Sequence, residues 1–280
     1  MRELPPLARF RQRSRLYLGR SLRTVSGLRQ PCVFMHVPKC GGTSVSEALY
    51  ATVPLHRKIG ILDSPSIRSA LAIQHSGQDD LSFHDEGARA DDIAAFRETL
   101  LLMHMAHRAT LIHGHFLFSE RAWQHFGDRY RYVTILRDPV ARTVSHIRLD
   151  AGREPFGEDP GGTAGRAAAK ATNLQDDFHG SPMRRNIGRA MERALRNMER
   201  FSLIGFLEDL DGFSRDFAAL FGVRPWIPHY NSAGQDKPFA MTTEQRDRLA
   251  ALSAPDIELY AHARRIAPTL MQREPKVKAA

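Results

Sequence analysis

The sequence predicts an α/β fold of three layers, in which a central parallel sheet is flanked by helices on both faces. Short apolar segments alternate along the chain with segments of helical periodicity, and this order is typical of a parallel sheet. The apolar segments show little polar alternation, which indicates strands buried on both faces. The length of 280 residues allows one large α/β domain or two small ones.

Four apolar segments are predicted to be strands, and the third of them is the richest in β-branched residues. The four are 32–37, 110–113, 132–136 and 202–205. Helical patterns occupy 43–52, 91–107, 119–126, 139–149, 183–200, 208–221, 243–253 and 255–266. Asp138 and Pro139, directly after the third strand, are suited to the N-cap and the first position of the following helix.

Two segments, 53–90 and 150–170, depart from this pattern. The first is polar and mixed, and the second is rich in glycine and proline, so both are predicted to be long loops. Long loops on a compact α/β domain are often lids or parts of a binding site. We therefore expect residues 53–90 and 150–185 to contact a substrate.

Positive charge is concentrated at the two ends of the chain. Residues 1–30 carry a net +7 and residues 271–280 a net +2, so the region between them is near neutral although the whole chain carries +9. This distribution does not favour a nucleic-acid-binding core. The arginine-rich N-terminus either touches an acidic membrane surface or polyanion, or is a solvated extension. We expect a basic extension over 1–30, a domain over 31–268 and a basic tail over 269–280.

The cysteines and the hydropathy of the chain bear on its cellular environment. Cys32 and Cys40 lie close together in sequence and do not indicate a disulfide framework, which suits a reducing compartment. The sequence has no apolar run long enough to cross a membrane and no signal-peptide core. We therefore expect a cytoplasmic protein, with membrane-peripheral contact through its N-terminus as an option.

The loop after the first predicted strand is suited to binding an anion. It contains Lys39, two glycines and two hydroxyl side chains, and a helical segment follows at once. Backbone N–H groups converge at a helix N-terminus, the helix dipole adds positive potential, and glycine allows close approach to the main chain. It is not a Walker A motif, because Lys39 precedes the glycines. The residues expected to hold a phosphate are Lys39, Cys40, Gly41, Gly42, Thr43 and Ser44.

A second anion site is predicted at the end of the third strand. Arg137 leaves that strand at its carboxyl end, and Ser145 lies two helical turns further on, near the same side. A guanidinium group with a hydroxyl group suits a second phosphate. Ligands of open α/β sheets bind beyond the carboxyl ends of the strands. We therefore expect Arg137 to meet Lys39 and the segment 113–115 there.

These two motifs resemble those of sulfotransferases that use 3′-phosphoadenosine 5′-phosphosulfate (PAPS). Residues 38–44 are similar to the 5′-phosphosulfate-binding loop, and Leu136-Arg137-Asp138-Pro139 with Ser145 is similar to the 3′-phosphate-binding motif. The chain most resembles the family of heparan sulfate 2-O- and chondroitin-type enzymes and related bacterial sulfotransferases, over about residues 31–265. This implies a P-loop-like fold, a sulfotransferase domain over 31–268, PAPS as donor and no required metal. Further similar segments are 171–175, 203–208 and 230–232.

The resemblance also implies roles for single residues. Lys39 would stabilise the charge on the departing 5′-phosphate. The 3′-phosphate would be bound by Arg137 and Ser145. Cys40 departs from the pattern, since many relatives carry threonine there. The 5′-phosphate would be held by backbone amides and hydroxyl groups of Gly41, Gly42, Thr43 and Ser44.

The segment His113-Gly114-His115 is predicted to supply the catalytic base. Residues i and i+2 of an extended segment face the same side, so both imidazoles are expected in the cleft. Histidine suits removal of a proton from an acceptor hydroxyl near neutral pH. A His-Gly-His segment here resembles the 2-O-sulfotransferase branch, in which the second histidine is the proposed base. This implies His115 as the base, with His113 assisting it or contacting a glycan or small-molecule acceptor.

Other interpretations remain open from the sequence. A kinase-type enzyme that uses ATP is one, although the position of Lys39 and the Arg137/Ser145 pair argue against it. A non-catalytic relative that binds nucleotide, or a partner through its N-terminus, is another. The histidines could be structural, or could bind a metal together with His104 and His107, but no carboxylate accompanies them.

Overall fold

Five parallel strands form the centre of the fold. The computed structural model describes residues 14, 18, 20, 27–76, 90–151, 187–227 and 242–272. The strands are β1 (Cys32–Met35), β2 (Ile59–Leu62), β3 (Leu111–Gly114), β4 (Arg131–Leu136) and β5 (Leu203–Phe206). They pair in the order β2-β3-β1-β4-β5, and every pair is parallel. The predicted α/β fold with a parallel sheet is confirmed.

Helices cover both faces of this sheet. They are α1 (Gly42–Thr52), α2 (Ser64–Ser76), α3 (Ala90–Ala106), α4 (Glu120–Phe126), α5 (Pro139–Ala151), α6 (Ile187–Met198), α7 (Leu210–Phe221), α8 (Thr243–Leu252) and α9 (Ala254–Leu270). On one face, α1 and α7 pack against strand residues such as Phe34 and Val133. On the other, α3, α6 and α9 pack against Met35 and Tyr132. All residues of β1 are buried, as expected for a strand covered on both faces.

The predicted strands are confirmed to within two residues, but the loop predicted over 53–90 is wrong in its first part. Residues 59–62 form the edge strand β2, and α2 follows it. The apolar run of β2 is short and interrupted by Gly60, so it gives a weak strand signal. Gly60 has a packing role, since a Cβ there would lie 2.6 Å from the ring of His104 on α3. Residues 77–89 lie outside the described residues.

Several other predicted segments also lie outside the described residues. These are residues 152–170 of the second predicted loop, the start of the predicted helix 183–200, and the segments 171–175 and 230–232. In the described part of the chain, no helix is long and apolar enough to span a lipid bilayer.

The topology places the carboxyl end of β1 at a crevice. From β1 the chain runs to β2 on one side of the sheet, whereas from the neighbouring β4 it runs to β5 on the other side. Ligands of open α/β sheets bind where adjacent strands lead in opposite directions. The loop 36–41 between β1 and α1 lies at this point.

The helix that carries the second predicted motif begins as expected and is anchored in the core. Pro139 is its first residue, and Asp138 Oδ1 accepts a hydrogen bond from the backbone N–H of Ala141 at 2.8 Å. In its second turn, Arg142 forms an ion pair with Asp256 of α9, with Nη2 and Oδ2 3.0 Å apart and both side chains 1% exposed. The pair fixes α5 against α9.

Candidate functional site

The loop before α1 has the local geometry of an anion site. Gly41 is the N-cap of α1, and no side chain forms a hydrogen bond at this cap. The first turn of α1 carries no acidic residue. The N–H groups of a first helical turn have no partner within the helix, and they attract negative charge together with the helix dipole. Gly42 and Ser44 are buried in this turn, and Thr43 is exposed.

Two residues of the loop adopt left-handed backbone conformations. Gly41 has φ 73°, and a Cβ at this position would lie 2.5 Å from Cδ1 of Leu207, so glycine is required for two reasons. Lys39 has φ 66°, which is uncommon for a residue with a side chain. Such backbone strain costs about 1–3 kcal/mol and is concentrated at functional sites. The conformation of Lys39 therefore favours a functional role for this loop.

Cys40 is a structural member of the loop. Its side chain is buried and packs in the same cluster as Val37. Its backbone N–H donates a hydrogen bond to Val37 O at 3.4 Å. The thiol therefore faces the core, and the absence of a threonine hydroxyl at this position leaves the remaining donors of the loop in place.

The structure brings the two predicted anion sites together. Arg137 Nη1 donates a hydrogen bond to the backbone oxygen of Lys39 at 3.4 Å, which joins the end of β4 to the loop. The turn after β5 contacts both the loop before α1 and the segment after β4. Leu207 lies against Gly41, and Glu208 accepts a hydrogen bond from Asp138 N at 3.1 Å. A guanidinium group and a helix N-terminus are thus adjacent at the crevice.

Ser145 lies on α5, as predicted. It is half-buried, one turn beyond the buried Arg142. Residues three apart on a helix share a face. The ion pair between Arg142 and Asp256 therefore fixes the part of α5 on which Ser145 is carried.

His115 lies at the end of β3 in a defined orientation. Its Nδ1 is 2.8 Å from the backbone oxygen of His36. Because a carbonyl oxygen only accepts hydrogen bonds, Nδ1 carries a proton, and in the neutral form of the ring the lone pair is on Nε2. Its ring also contacts the ring of His36, with centroids 4.1 Å apart. This is the tautomer that a base with Nε2 directed at a substrate requires.

His36 is a residue of this site that the sequence analysis missed. It follows β1, and Phe34, two residues earlier, has its ring 6.1 Å from that of His36 on the same side. The sequence does contain a signal for His36, because a histidine stands there at the end of a buried strand and next to the predicted phosphate-binding loop. Burial and the neighbouring His115 and His113 lower the pKa of His36 to about 3, so the ring is neutral near pH 7.

His113 lies on the same face of the sheet, deeper than His115. Burial, together with His115, lowers its pKa to about 4. Its ring meets that of Tyr50 edge to face, with centroids 6.5 Å apart. Nε2 of His113 is buried and has no hydrogen-bond partner among the described residues. His113 is therefore a neutral group with unused hydrogen-bonding capacity beside His115.

One residue of the N-terminal extension packs near this cluster. Arg20 is buried, and its guanidinium lies 4.1 Å from the centroid of the Tyr50 ring. Its Nε donates a hydrogen bond to Val53 O at 2.9 Å. At this residue the N-terminal segment contacts α1 and is not solvated.

The described residues contain no group of three or more His, Cys, Asp and Glu side chains arranged to hold a metal ion. Of the four histidines considered for such a site, His104 lies beside Gly60 of β2, whereas His115 lies beside His36.

The lowered pKa values of His36 and His113 should make the protein sensitive to acid. Below the ordinary histidine pKa of 6.5, the unfolded chain binds protons at His36 and His113 that the folded protein takes up only near pH 3 to 4. The free energy of unfolding therefore falls with falling pH, by about 1.4 kcal/mol per pH unit for each histidine.

Urea unfolding of the wild type and of His113→Phe checks this expectation. Between about pH 6.5 and pH 5, the wild type should lose about 2 kcal/mol more stability than the variant. The exposed substitution Met103→Leu is the control and should keep the wild-type dependence. Equal pH dependence in wild type and His113→Phe would contradict the lowered pKa of His113 in the folded protein.

Comparisons with known proteins give structural similarities but no sequence match. No protein-family model and no curated protein matches the chain. A sulfotransferase from Alicyclobacillus acidocaldarius is 18% identical, with 88% of this chain and 97% of the other covered and a TM-score of 0.42. A structure of the PezAT chromosomal toxin–antitoxin system of Streptococcus pneumoniae is 13% identical, with 92% and 98% covered and a TM-score of 0.34. Because both TM-scores lie below 0.5, neither similarity supports a function for this chain.

Proposed function

We propose that this chain is a sulfotransferase that transfers the sulfuryl group of PAPS to a hydroxyl group of an acceptor, for which we propose a carbohydrate. The observation that carries the proposal is the hydrogen bond from Arg137 to Lys39 O. It joins the two proposed anion sites at the ends of adjacent strands, which suits a nucleotide with two separate phosphate groups. The oriented His115 lies at the end of β3, the neighbour of β1 on its other side.

The residues at the crevice fit the donor by their chemistry. The uncapped start of α1, with the hydroxyl groups of Thr43 and Ser44, would hold the 5′-phosphosulfate. Arg137 and Ser145 would bind the 3′-phosphate, which is absent from ATP. Lys39 would lie near the oxygen that joins phosphate to sulfate, where negative charge increases as the bond breaks.

The transfer requires one proton acceptor and one group that stabilises the leaving phosphate. The acceptor oxygen forms a bond to sulfur, and the bond between sulfur and the bridging phosphate oxygen breaks. The acceptor proton passes to Nε2 of His115, whose Nδ1 proton is already donated to His36 O. The bond electrons stay on the phosphate, beside Lys39, and the products are the sulfated acceptor and 3′,5′-adenosine bisphosphate.

The proposal of a carbohydrate acceptor rests on the resemblance of the segment 113–115 to the 2-O-sulfotransferase branch. An alkyl hydroxyl of a sugar is weakly acidic and needs a base during attack, which is consistent with the presence of a histidine in the tautomer of His115. His113, with its buried Nε2 lacking a partner among the described residues, could contact the same acceptor.

Calorimetric titration tests the donor class. The full chain is expected to bind 3′,5′-adenosine bisphosphate, the product of PAPS, more tightly than ADP with magnesium, because only the bisphosphate has a phosphate for Arg137 and Ser145. Equal or tighter binding of ADP with magnesium would favour a kinase-type enzyme.

A further inference from the structure

The side chain of His36 lies between the phosphate loop and the proposed base. Its backbone N–H donates a hydrogen bond to Gly114 O at 2.9 Å, which extends the pairing of β1 with β3 by one residue. This pairing fixes the backbone from which the imidazole projects. None of the steps of the proposed reaction uses this imidazole.

One side of the His36 ring lies against the start of α1. A Cβ at Gly42 would lie 1.8 Å from both Cδ2 and Nε2 of His36. Real atoms do not approach so closely, so the ring occupies the space that a side chain at position 42 would need. The ring is therefore in direct contact with the first residue of α1.

The same residue contacts His115 in two ways. The two imidazole rings have centroids 4.1 Å apart with an interplanar angle of 30°, and His36 O accepts the hydrogen bond from His115 Nδ1 at 2.8 Å. The contact between the rings fixes the plane of the His115 ring, and the hydrogen bond to His36 O fixes its tautomer. His36 thereby links the proposed base to the helix that would hold the 5′-phosphosulfate.

We propose that His36 is a positioning residue, whose ring sets the place of the His115 imidazole relative to the first turn of α1. The inference rests on the proposed function, in which donor and base lie at these two places. A displacement of a reacting group by about 1 Å can cost up to about 10²-fold in rate. The shape of the ring, rather than its nitrogen atoms, is the property that matters, because the ring is half-buried, neutral and packed against Gly42 and His115.

Two substitutions at position 36 separate shape from chemistry. His36→Ala removes the ring and should lower kcat at least about tenfold, with the affinity for 3′,5′-adenosine bisphosphate changed less than about twofold. His36→Phe keeps a planar ring and should retain kcat within about threefold. The exposed His125→Ala is the matched control and should behave as wild type. A loss in His36→Phe equal to that in His36→Ala would overturn the proposal.

A double-mutant cycle with Gly42 tests the contact itself. Position 42 lies in a helix, where alanine is favoured over glycine, so the contact with His36 is the obstacle to Gly42→Ala. Gly42→Ala should displace the His36 ring and lower kcat. In a His36→Ala background the methyl group added at position 42 has room. The loss of kcat caused by Gly42→Ala, expressed as a free energy, should then fall by at least about half. Additive effects of the two substitutions would contradict the proposed contact.

Imidazole nitrogen NMR of the free protein separates this inference from the proposed function. In wild type and His36→Phe, His115 should show a protonated Nδ1 and an unprotonated Nε2. In His36→Ala the hydrogen bond to the backbone oxygen of residue 36 remains, but the ring contact is lost, so His115 should keep the same tautomer while its imidazole resonances broaden through reorientation of the ring. This result in a chain that transfers no sulfuryl group would support the positioning role and refute the proposed reaction. Unbroadened His115 resonances and an unchanged kcat in His36→Ala would refute the positioning role alone.

Discussion

His115→Ala is expected to lower kcat for the proposed sulfuryl transfer from PAPS by about 10²–10⁴-fold, since it removes the group proposed to accept the proton from the acceptor hydroxyl. Binding of 3′,5′-adenosine bisphosphate should change less than about twofold, because the proposed function assigns its phosphate groups to α1, Lys39 and Arg137. Release of the bisphosphate in the presence of a panel of glycans measures turnover, and calorimetry measures binding.

The control for this substitution is His125→Ala, which removes an exposed histidine from the last turn of α4. It should leave kcat and donor binding unchanged. Wild-type turnover in His115→Ala would remove this residue from the role of base.

Asp256→Ala is expected to lower the free energy of unfolding by about 3–5 kcal/mol, because it leaves the guanidinium of Arg142 buried without its partner. Both side chains of this ion pair are 1% exposed, so water does not replace the lost carboxylate. Urea unfolding measures the change. Glu258→Ala, an exposed substitution on the same helix, should change stability by less than about 0.5 kcal/mol.

A paired substitution shows whether the loss of stability in Asp256→Ala comes from the unpaired charge of Arg142. Replacing both partners with apolar residues, as Arg142→Met with Asp256→Leu, should be far less destabilising than Asp256→Ala and can be neutral. A loss below about 1 kcal/mol in Asp256→Ala would mean that Arg142 finds another partner or water. The role of the pair in fixing α5, and with it Ser145, would then be wrong.

The order of strands and helices was largely predictable from the sequence because buried parallel strands give short apolar runs with clear boundaries. β4 shows this best, since its β-branched residues end at Arg137-Asp138-Pro139 and the next helix starts at Pro139. β2 was not predictable in this way. It is an edge strand with an exposed Ile61, and its Gly60 is explained only by the approach of His104 from α3.

The candidate site could be predicted from the sequence where one short segment contains all the residue types that indicate it. The loop around Lys39 and the segment 113–115 each combine the required residue types within a few positions. Long-range contacts were not visible in the sequence. His36, which follows β1, contacts His115 at the end of β3. Arg142 forms its ion pair with Asp256, 114 positions away in the sequence. Partners of this kind are determined by the packing of the sheet and helices.

The most direct test of the two-phosphate site is the ratio of the affinities of the full chain for 3′,5′-adenosine bisphosphate and 5′-AMP, measured by calorimetry. Charge-assisted hydrogen bonds to the 3′-phosphate should favour the bisphosphate at least about tenfold. Arg137→Ala should remove most of this preference and leave the affinity for 5′-AMP nearly unchanged. Equal affinities of the wild type for the two nucleotides would contradict a PAPS-dependent sulfotransferase.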